Sequence, residues 1–187
     1  MSLRVGRVAW LTGLPGAGKT TLATLLAGRL AAERIAVTVI DGDTFRRQSP
    51  KPLGYSATDR ARNVERIARA AAAAARAGDV VLVAVIAPFA ELRRTARAIV
   101  EEVAPFVEVY VDAPLAVCIE RDPKGNYRRA LRGELANFTG ISDPYEPPAA
   151  PDLRVDTATL TPEEGAALIE ARLAAAAQLR EGIMLCD

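Results

Sequence analysis

The chain has 187 residues, half of them apolar and a quarter charged, enough to bury a sizeable core. With 24 Lys and Arg against 23 Asp and Glu, the formal net charge is +1, which excludes a general polyanion binder; no nucleic acid partner is implied, and any basic site must be local. There is no histidine, so imidazole can serve neither as a base nor as a metal ligand.

In chain order, residues 8–11 form a short apolar run that reads as a buried strand, starting too near the N-terminus for a signal peptide. Gly13-Leu14-Pro15-Gly16-Ala17-Gly18-Lys19-Thr20 follows and fits G-x-x-x-x-G-K-[ST] at every required position, and an Ala/Leu-rich helix is expected from Thr21 onward, over 21–30. That strand–loop–helix order is what a phosphate loop needs: glycines turn successive N–H groups toward one anion, and the helix N-terminus adds its positive end. Residues 36–40 are a β-branched strand ending at Asp41-Gly42-Asp43. A turn region with Pro50, Pro52 and Gly54 leads into a helix over 59–77, stopped by Gly78. Residues 80–86 are almost all Val, Leu and Ile, the pattern of a strand buried on both faces. A helix over 89–103, a strand over 106–111 and a helix from Pro114 to about residue 121 follow. Residues 122–150 turn basic and Gly/Pro-bearing, with a short helix at 127–132. A last strand at 153–155 precedes a helix capped by Thr161 with Pro162 at its first position. Alternating strands and helices predict a parallel sheet covered on both sides. No apolar run reaches the ~18 residues of a membrane span. Cys118 and Cys186 match no metal or redox spacing, so a cytoplasmic chain with free thiols and no membrane partner is expected.

Ligands of such sheets sit at the carboxyl ends of the strands. There, Lys19 is expected to reach the β- and γ-phosphates of ATP and Thr20 to ligate Mg²⁺. Asp41 and Asp43 end the second strand; the third carries no acidic residue for Mg²⁺, which makes Asp43 the better candidate for metal or general base. Arg46 and Arg60 converge on the strand tips and suit a second anionic group belonging to an acceptor, with Asn63 on the same helix face as Arg60. The segment from Arg121 reads as a lid whose Lys124, Arg128 and Arg129 can neutralise transition-state charge and exclude water. Phe138, in a polar glycine-flanked loop, either anchors that loop to the core or stacks on a substrate base.

Taken together, these residues resemble the adenylylsulfate kinase family. The resemblance is carried by the phosphate loop, Asp41-Gly42-Asp43-Thr44-Phe45-Arg46, Leu53-Gly54-Tyr55-Ser56, Asp59-Arg60, Asn63 and Ile86-Ala87-Pro88-Phe89. It extends through Val111-Asp112-Ala113-Pro114-Leu115, Asp122-Pro123-Lys124-Gly125-Asn126-Tyr127 and the run from Asn137-Phe138-Thr139-Gly140 to Glu146, spanning about residues 7–170. It implies an α/β three-layer sandwich of the P-loop nucleoside triphosphate hydrolase type, one domain over 1–187 with a lid at about 122–150. It implies ATP and Mg²⁺ as cofactors and transfer of the γ-phosphoryl to the 3′-hydroxyl of adenylyl sulfate. A homodimer and a functional link to an ATP sulfurylase accompany that activity. Residue by residue, it puts Asp43, Arg46, Arg60 and Asn63 around adenylyl sulfate, with Ile86 and Ala87 lining the same pocket and Phe138 stacked on the adenine. The chain departs from the family pattern at Ala87, usually Ser, which closes any covalent route through that position, and at Ala136, usually basic. Its connector over 46–52 is also shorter than usual. A related kinase with another small acceptor, and a regulatory nucleotide-binding subunit, are the alternative readings.

Overall fold

The computed structural model describes residues 6–48, 50–51 and 53–184; Ser49 and Pro52 of the connector and Cys186 lie outside the described residues. Five strands, β1 (Arg7–Thr12), β2 (Val37–Asp41), β3 (Val80–Ala84), β4 (Phe106–Asp112) and β5 (Leu153–Asp156), form one sheet in the order β2-β3-β1-β4-β5. Every neighbouring pair is parallel. Helices α1 (Lys19–Ala32), α2 (Gly42–Arg47), α3 (Ala57–Arg76), α4 (Ala90–Glu101), α5 (Leu115–Arg121), α6 (Asn126–Leu131) and α7 (Pro162–Met184) complete the chain.

The period of two in β1 sorts its side chains between two cores. Ala9 and Leu11 face Leu22 and Leu26 of α1 and Ile169 and Leu173 of α7. Val8 and Trp10 face Val64, Ile67 and Ala71 of α3 and Ala96 and Val100 of α4. All five residues of β3 are buried, as a central strand covered on both faces must be. The result is a three-layer α/β sandwich. The alanine tract at 70–75 lies within α3, where Ala71 and Ala75 are buried; small side chains let the helix approach the sheet closely. Thr161 caps α7 as expected: its hydroxyl accepts from the Glu164 N–H (3.2 Å), and the Glu164 carboxylate accepts from the Thr161 N–H (2.9 Å).

Most helix ends move by one or two residues from the expected bounds, and three differences bear on the site. The run after Asp41 is not an open turn but α2, a six-residue helix whose first N–H groups are capped by Asp41, with Oδ1 accepting from Thr44 N at 2.9 Å. Strand β3 ends at Ala84, leaving Ile86 and Ala87 in a turn. Pro114 stands just before α5 as its cap, not within it.

Between β1, whose connection runs toward β2, and β4, whose connection runs toward β5, the chain reverses direction across the sheet, and ligands of open α/β sheets bind at such a switch point. The phosphate loop leaves β1 there.

Candidate active site

The loop after β1 is shaped by its glycines. Gly13 (φ +154°) passes so close to β4 that an added Cβ would meet the Val111 carbonyl oxygen at 2.2 Å. Gly18, at φ +101°, is the cap of α1, so the helix N-terminus opens directly onto the loop. Lys19 is only 8% exposed and donates to the carbonyls of Gly13 (2.9 Å) and Leu14 (2.7 Å), which hold its ammonium across the loop. Burial pushes its pKa down to about 8, with Asp43 acting against the shift. Two outside elements brace the loop: Tyr127 of α6 donates to the Pro15 carbonyl (2.9 Å), and the Thr157 hydroxyl, after β5, to that of Ala17 (2.8 Å).

The two aspartates at the junction of β2 and α2 have separate partners. Asp41 accepts from the Thr20 hydroxyl at 3.0 Å as well as capping α2. Burial works to raise its pKa, but the hydrogen bonds from Thr44 and Thr20 outweigh it and hold the carboxyl below the ordinary range. Asp43 instead pairs with Lys124, 81 residues away, at 2.7 Å. That contact brings the 122–125 turn over the strand tips and, through the hydrogen bond to Asp43, raises the Lys124 pKa.

Opposite the phosphate loop, α3 supplies Arg60 and Asn63 from one helix face. Arg60, 6% exposed, donates to the carbonyls of Tyr55 (2.9 Å) and Asn137 (2.5 Å), to the Thr139 hydroxyl (2.9 Å) and to Asp143 (2.8 Å). Most of its donors therefore hold the 137–143 loop in place. Asn63 is 1% exposed and its Oδ1 has no protein partner. Arg46 donates to the Gly54 carbonyl and lies over the Tyr55 ring, 4.8 Å from its centroid. Phe138 packs edge-on against Tyr127 with ring centroids 5.0 Å apart, so its loop is anchored to the core while lining the cavity.

These walls enclose one cavity of about 1150 Å³. Of the residues singled out in the sequence, Pro15, Gly16, Gly18, Lys19, Thr20 and Thr21 line its one side. Asp43, Arg46, Arg60, Asn63, Ile86, Ala87 and Phe138 line the other, with Lys124 and Arg129 at its mouth. Gly13, Leu14 and Ala17 shape the loop from behind and do not line the cavity. Arg128 does not line it either: its side chain is 77% exposed and its ionic partner is Asp122 (3.7 Å). Sequence reasoning placed Arg121 and Tyr127 in the lid segment without giving either a role, and it passed over Thr157; Arg121 lines the cavity and donates to the Thr157 carbonyl (2.6 Å). The side-chain roles of all three come from contacts between distant segments, which no local spacing announces.

The adenylylsulphate kinase family model matches residues 5–156. An adenylyl-sulfate kinase of Paraburkholderia xenovorans is 51% identical over 165 residues, covering 88% of this chain and 91% of that protein. One from Myxococcus xanthus is 48% identical over 166 residues, covering 88% and 89%. The structure of the Mycobacterium tuberculosis APS kinase CysC in complex with AMPPNP and APS matches with a TM-score of 0.88 at 40% identity, over 90% of this chain and 98% of that one.

Proposed function

This chain belongs to the adenylylsulphate kinase family, and from that premise we infer that it transfers the γ-phosphoryl group of ATP to the 3′-hydroxyl of adenosine 5′-phosphosulfate, giving ADP and 3′-phosphoadenosine 5′-phosphosulfate. The observation that carries this reading is a continuous cavity of about 1150 Å³, with the phosphate loop on one wall and Asp43, Asn63, Ala87 and Phe138 on the other. A site for one drug-sized ligand spans about 300–1000 Å³; this one has room for donor and acceptor side by side.

In the reaction, residues 13–21 bind the triphosphate, and Lys19 follows the charge that moves onto the β–γ bridging oxygen as that bond breaks. Asp43, in the first turn of α2 and part of the acceptor wall, accepts the proton of the attacking 3′-hydroxyl. Arg46 and Asn63 bind the anionic and polar groups of adenylyl sulfate, Ile86 and Ala87 shape its pocket, and Phe138 stacks on its base. Arg60 contributes by holding the Phe138 loop. The donor set suits Mg²⁺: the Thr20 hydroxyl together with carboxylate oxygens of Asp41 and Asp43 at the start of α2, with no cluster of three or more acidic, Cys or His ligands among the described residues. When bound, the ion neutralises charge on the β- and γ-phosphates.

Residues 122–150 act as the lid of a single catalytic domain over 1–187, with Lys124 and Arg129 brought to the phosphates and Arg128 left at the rim. The enzyme works as a cytoplasmic homodimer, and an ATP sulfurylase supplies its acceptor; the motif resemblance supports both. No helix among the described residues is long and apolar enough to cross a membrane.

The test is ADP release by the purified chain with ATP and Mg²⁺ across adenylyl sulfate, AMP, other nucleoside monophosphates and gluconate. Adenylyl sulfate is expected to give by far the highest kcat/KM. Faster turnover with another acceptor, or none with any, overturns the reading.

A further inference from the structure

The turn after β3 shows how the acceptor wall is built. Ala87 is 1% exposed and sits at φ +41°, in the left-handed region where a side chain is strained by about 1–3 kcal/mol. Such a conformation persists only when its surroundings over-determine it, and here they do. Three consecutive carbonyls are each held by a different element. The Ile86 carbonyl accepts from the Thr12 hydroxyl (2.5 Å) at the end of β1, one residue before the phosphate loop. That of Ala87 accepts from the Arg93 guanidinium (2.9 Å) on α4. That of Pro88 accepts from the Glu146 N–H (2.8 Å), at the end of the lid segment.

Arg93 is the least expected of the three. It is 4% exposed, its Nε pairs with Glu108 of β4 at 2.8 Å, and its guanidinium lies 6.0 Å from the centroid of the Tyr145 ring. Tyr145 reaches back to Thr12, hydroxyl to hydroxyl at 3.1 Å. A buried arginine aimed at a backbone carbonyl, with its charge met on the other side by a carboxylate, is a fixed strut. The Ala87 methyl it positions lines the cavity.

We propose that Arg93 is a positioning residue for the acceptor: by holding the Ala87 carbonyl in its left-handed turn, with Thr12 and Glu146 on the flanking carbonyls, it sets the acceptor wall at a fixed distance from the phosphate loop. This rests on the reading that Ala87 faces adenylyl sulfate. Arg93 does not line the cavity, so its loss acts on acceptor binding through the turn and leaves the ATP side, which is braced separately by Tyr127 and Thr157, in place.

The experiment compares Arg93→Lys, Glu108→Gln and Thr12→Val with the unsubstituted chain, measuring KM for adenylyl sulfate, kcat, and Kd for AMPPNP. Arg93→Lys keeps a positive charge beside Glu108 but loses the fork that spans Glu108 and Ala87; its KM for adenylyl sulfate is expected to rise about tenfold to a hundredfold, the effect of one charged hydrogen bond, with Kd for AMPPNP within threefold. Glu108→Gln keeps the Arg93–Ala87 contact and should shift that KM less than threefold. If Arg93→Lys does not fold, Thr12→Val decides, with at least a threefold rise expected from removing the donor to Ile86. Unchanged KM in a folded variant, equal loss of acceptor and AMPPNP affinity, or the same loss in Glu108→Gln would overturn the proposal. Failure of the unsubstituted chain to phosphorylate adenylyl sulfate would instead remove the functional reading beneath it.

Discussion

Lys19 shows how much chemistry a single burial can set. Its ammonium is held by two loop carbonyls in a dry position, and burial brings its pKa to about 8. The free enzyme therefore begins to lose this proton just above neutrality, while a bound triphosphate favours the charged form. Binding of ATP at pH 8 should accordingly take up a proton, seen as a buffer-dependent enthalpy in calorimetry, and kcat/KM for ATP should fall as pH rises through about 8. A pH-independent kcat/KM up to pH 9.5 would contradict that placement. Lys19→Ala should nearly abolish transfer with an unchanged melting curve, since the residue meets phosphate charge and not the core. The aspartates divide their work as their partners do. Asp43→Asn should lower kcat by about 10²–10⁴-fold, the usual value of general-base help. Asp41→Asn should cost much less, because Asn still caps α2, and should show itself as a higher Mg²⁺ requirement through its contact with Thr20. Equal and mild effects of the two would move the base away from both carboxylates.

At the scale of elements, Arg60 joins α3 to the loop that carries Phe138. Four hydrogen bonds from one nearly buried guanidinium reach Tyr55, Asn137, Thr139 and Asp143. Lysine cannot reproduce that fork. Arg60→Lys should cost about 2–4 kcal/mol by leaving buried partners unmet, and so lower the melting temperature by about 5–10 °C for a chain of this size. It should also weaken acceptor binding more than ATP binding; a melting curve and both KM values measure this. The same residue marks what the sequence could tell. Strands β1 to β5 and the long helices were legible because each is announced by a local period or cap: an apolar run with β-branched residues, Gly78 after α3, Thr161 and Glu164 at α7. The phosphate loop was legible because its function requires fixed residues at fixed spacing. Helix α2 was missed since Asp-Gly-Asp reads locally as a turn, and only the Asp41 cap turns it into a helix. Arg60 does line the cavity, but three of its four hydrogen bonds hold a loop some 80 residues away, and no local pattern encodes that. Arg93 was passed over for the same reason, and Arg121 and Tyr145, although inside segments already singled out, were given no role.

Across the whole molecule, segments from both halves of the chain meet over one cavity of about 1150 Å³, and Asp43, after β2, is bridged to Lys124 of the 122–125 turn. That arrangement favours a ternary complex in which ATP and acceptor lie in line, not a relay through the protein. Ala87 makes the argument stronger, because it stands at the acceptor wall without a hydroxyl to phosphorylate. The enzyme should therefore show sequential kinetics, with double-reciprocal lines that intersect when both substrates are varied. It should carry no phosphate at position 87 after incubation with γ-labelled ATP, and a chiral γ-phosphate should be transferred with inversion. Introducing the hydroxyl by Ala87→Ser should change kcat/KM by no more than about tenfold, since one added hydrogen bond is worth ~1 kcal/mol and the turn already holds a side chain at positive φ. A gain of several orders of magnitude would mean that the natural chain is poorly matched to adenylyl sulfate and that its true acceptor is another molecule. Parallel lines with retention at phosphorus would mean that a nucleophile elsewhere in the cavity carries the group first. Inversion with intersecting lines leaves only the direct path, in which the geometry of the two walls, and not a covalent intermediate, determines the rate.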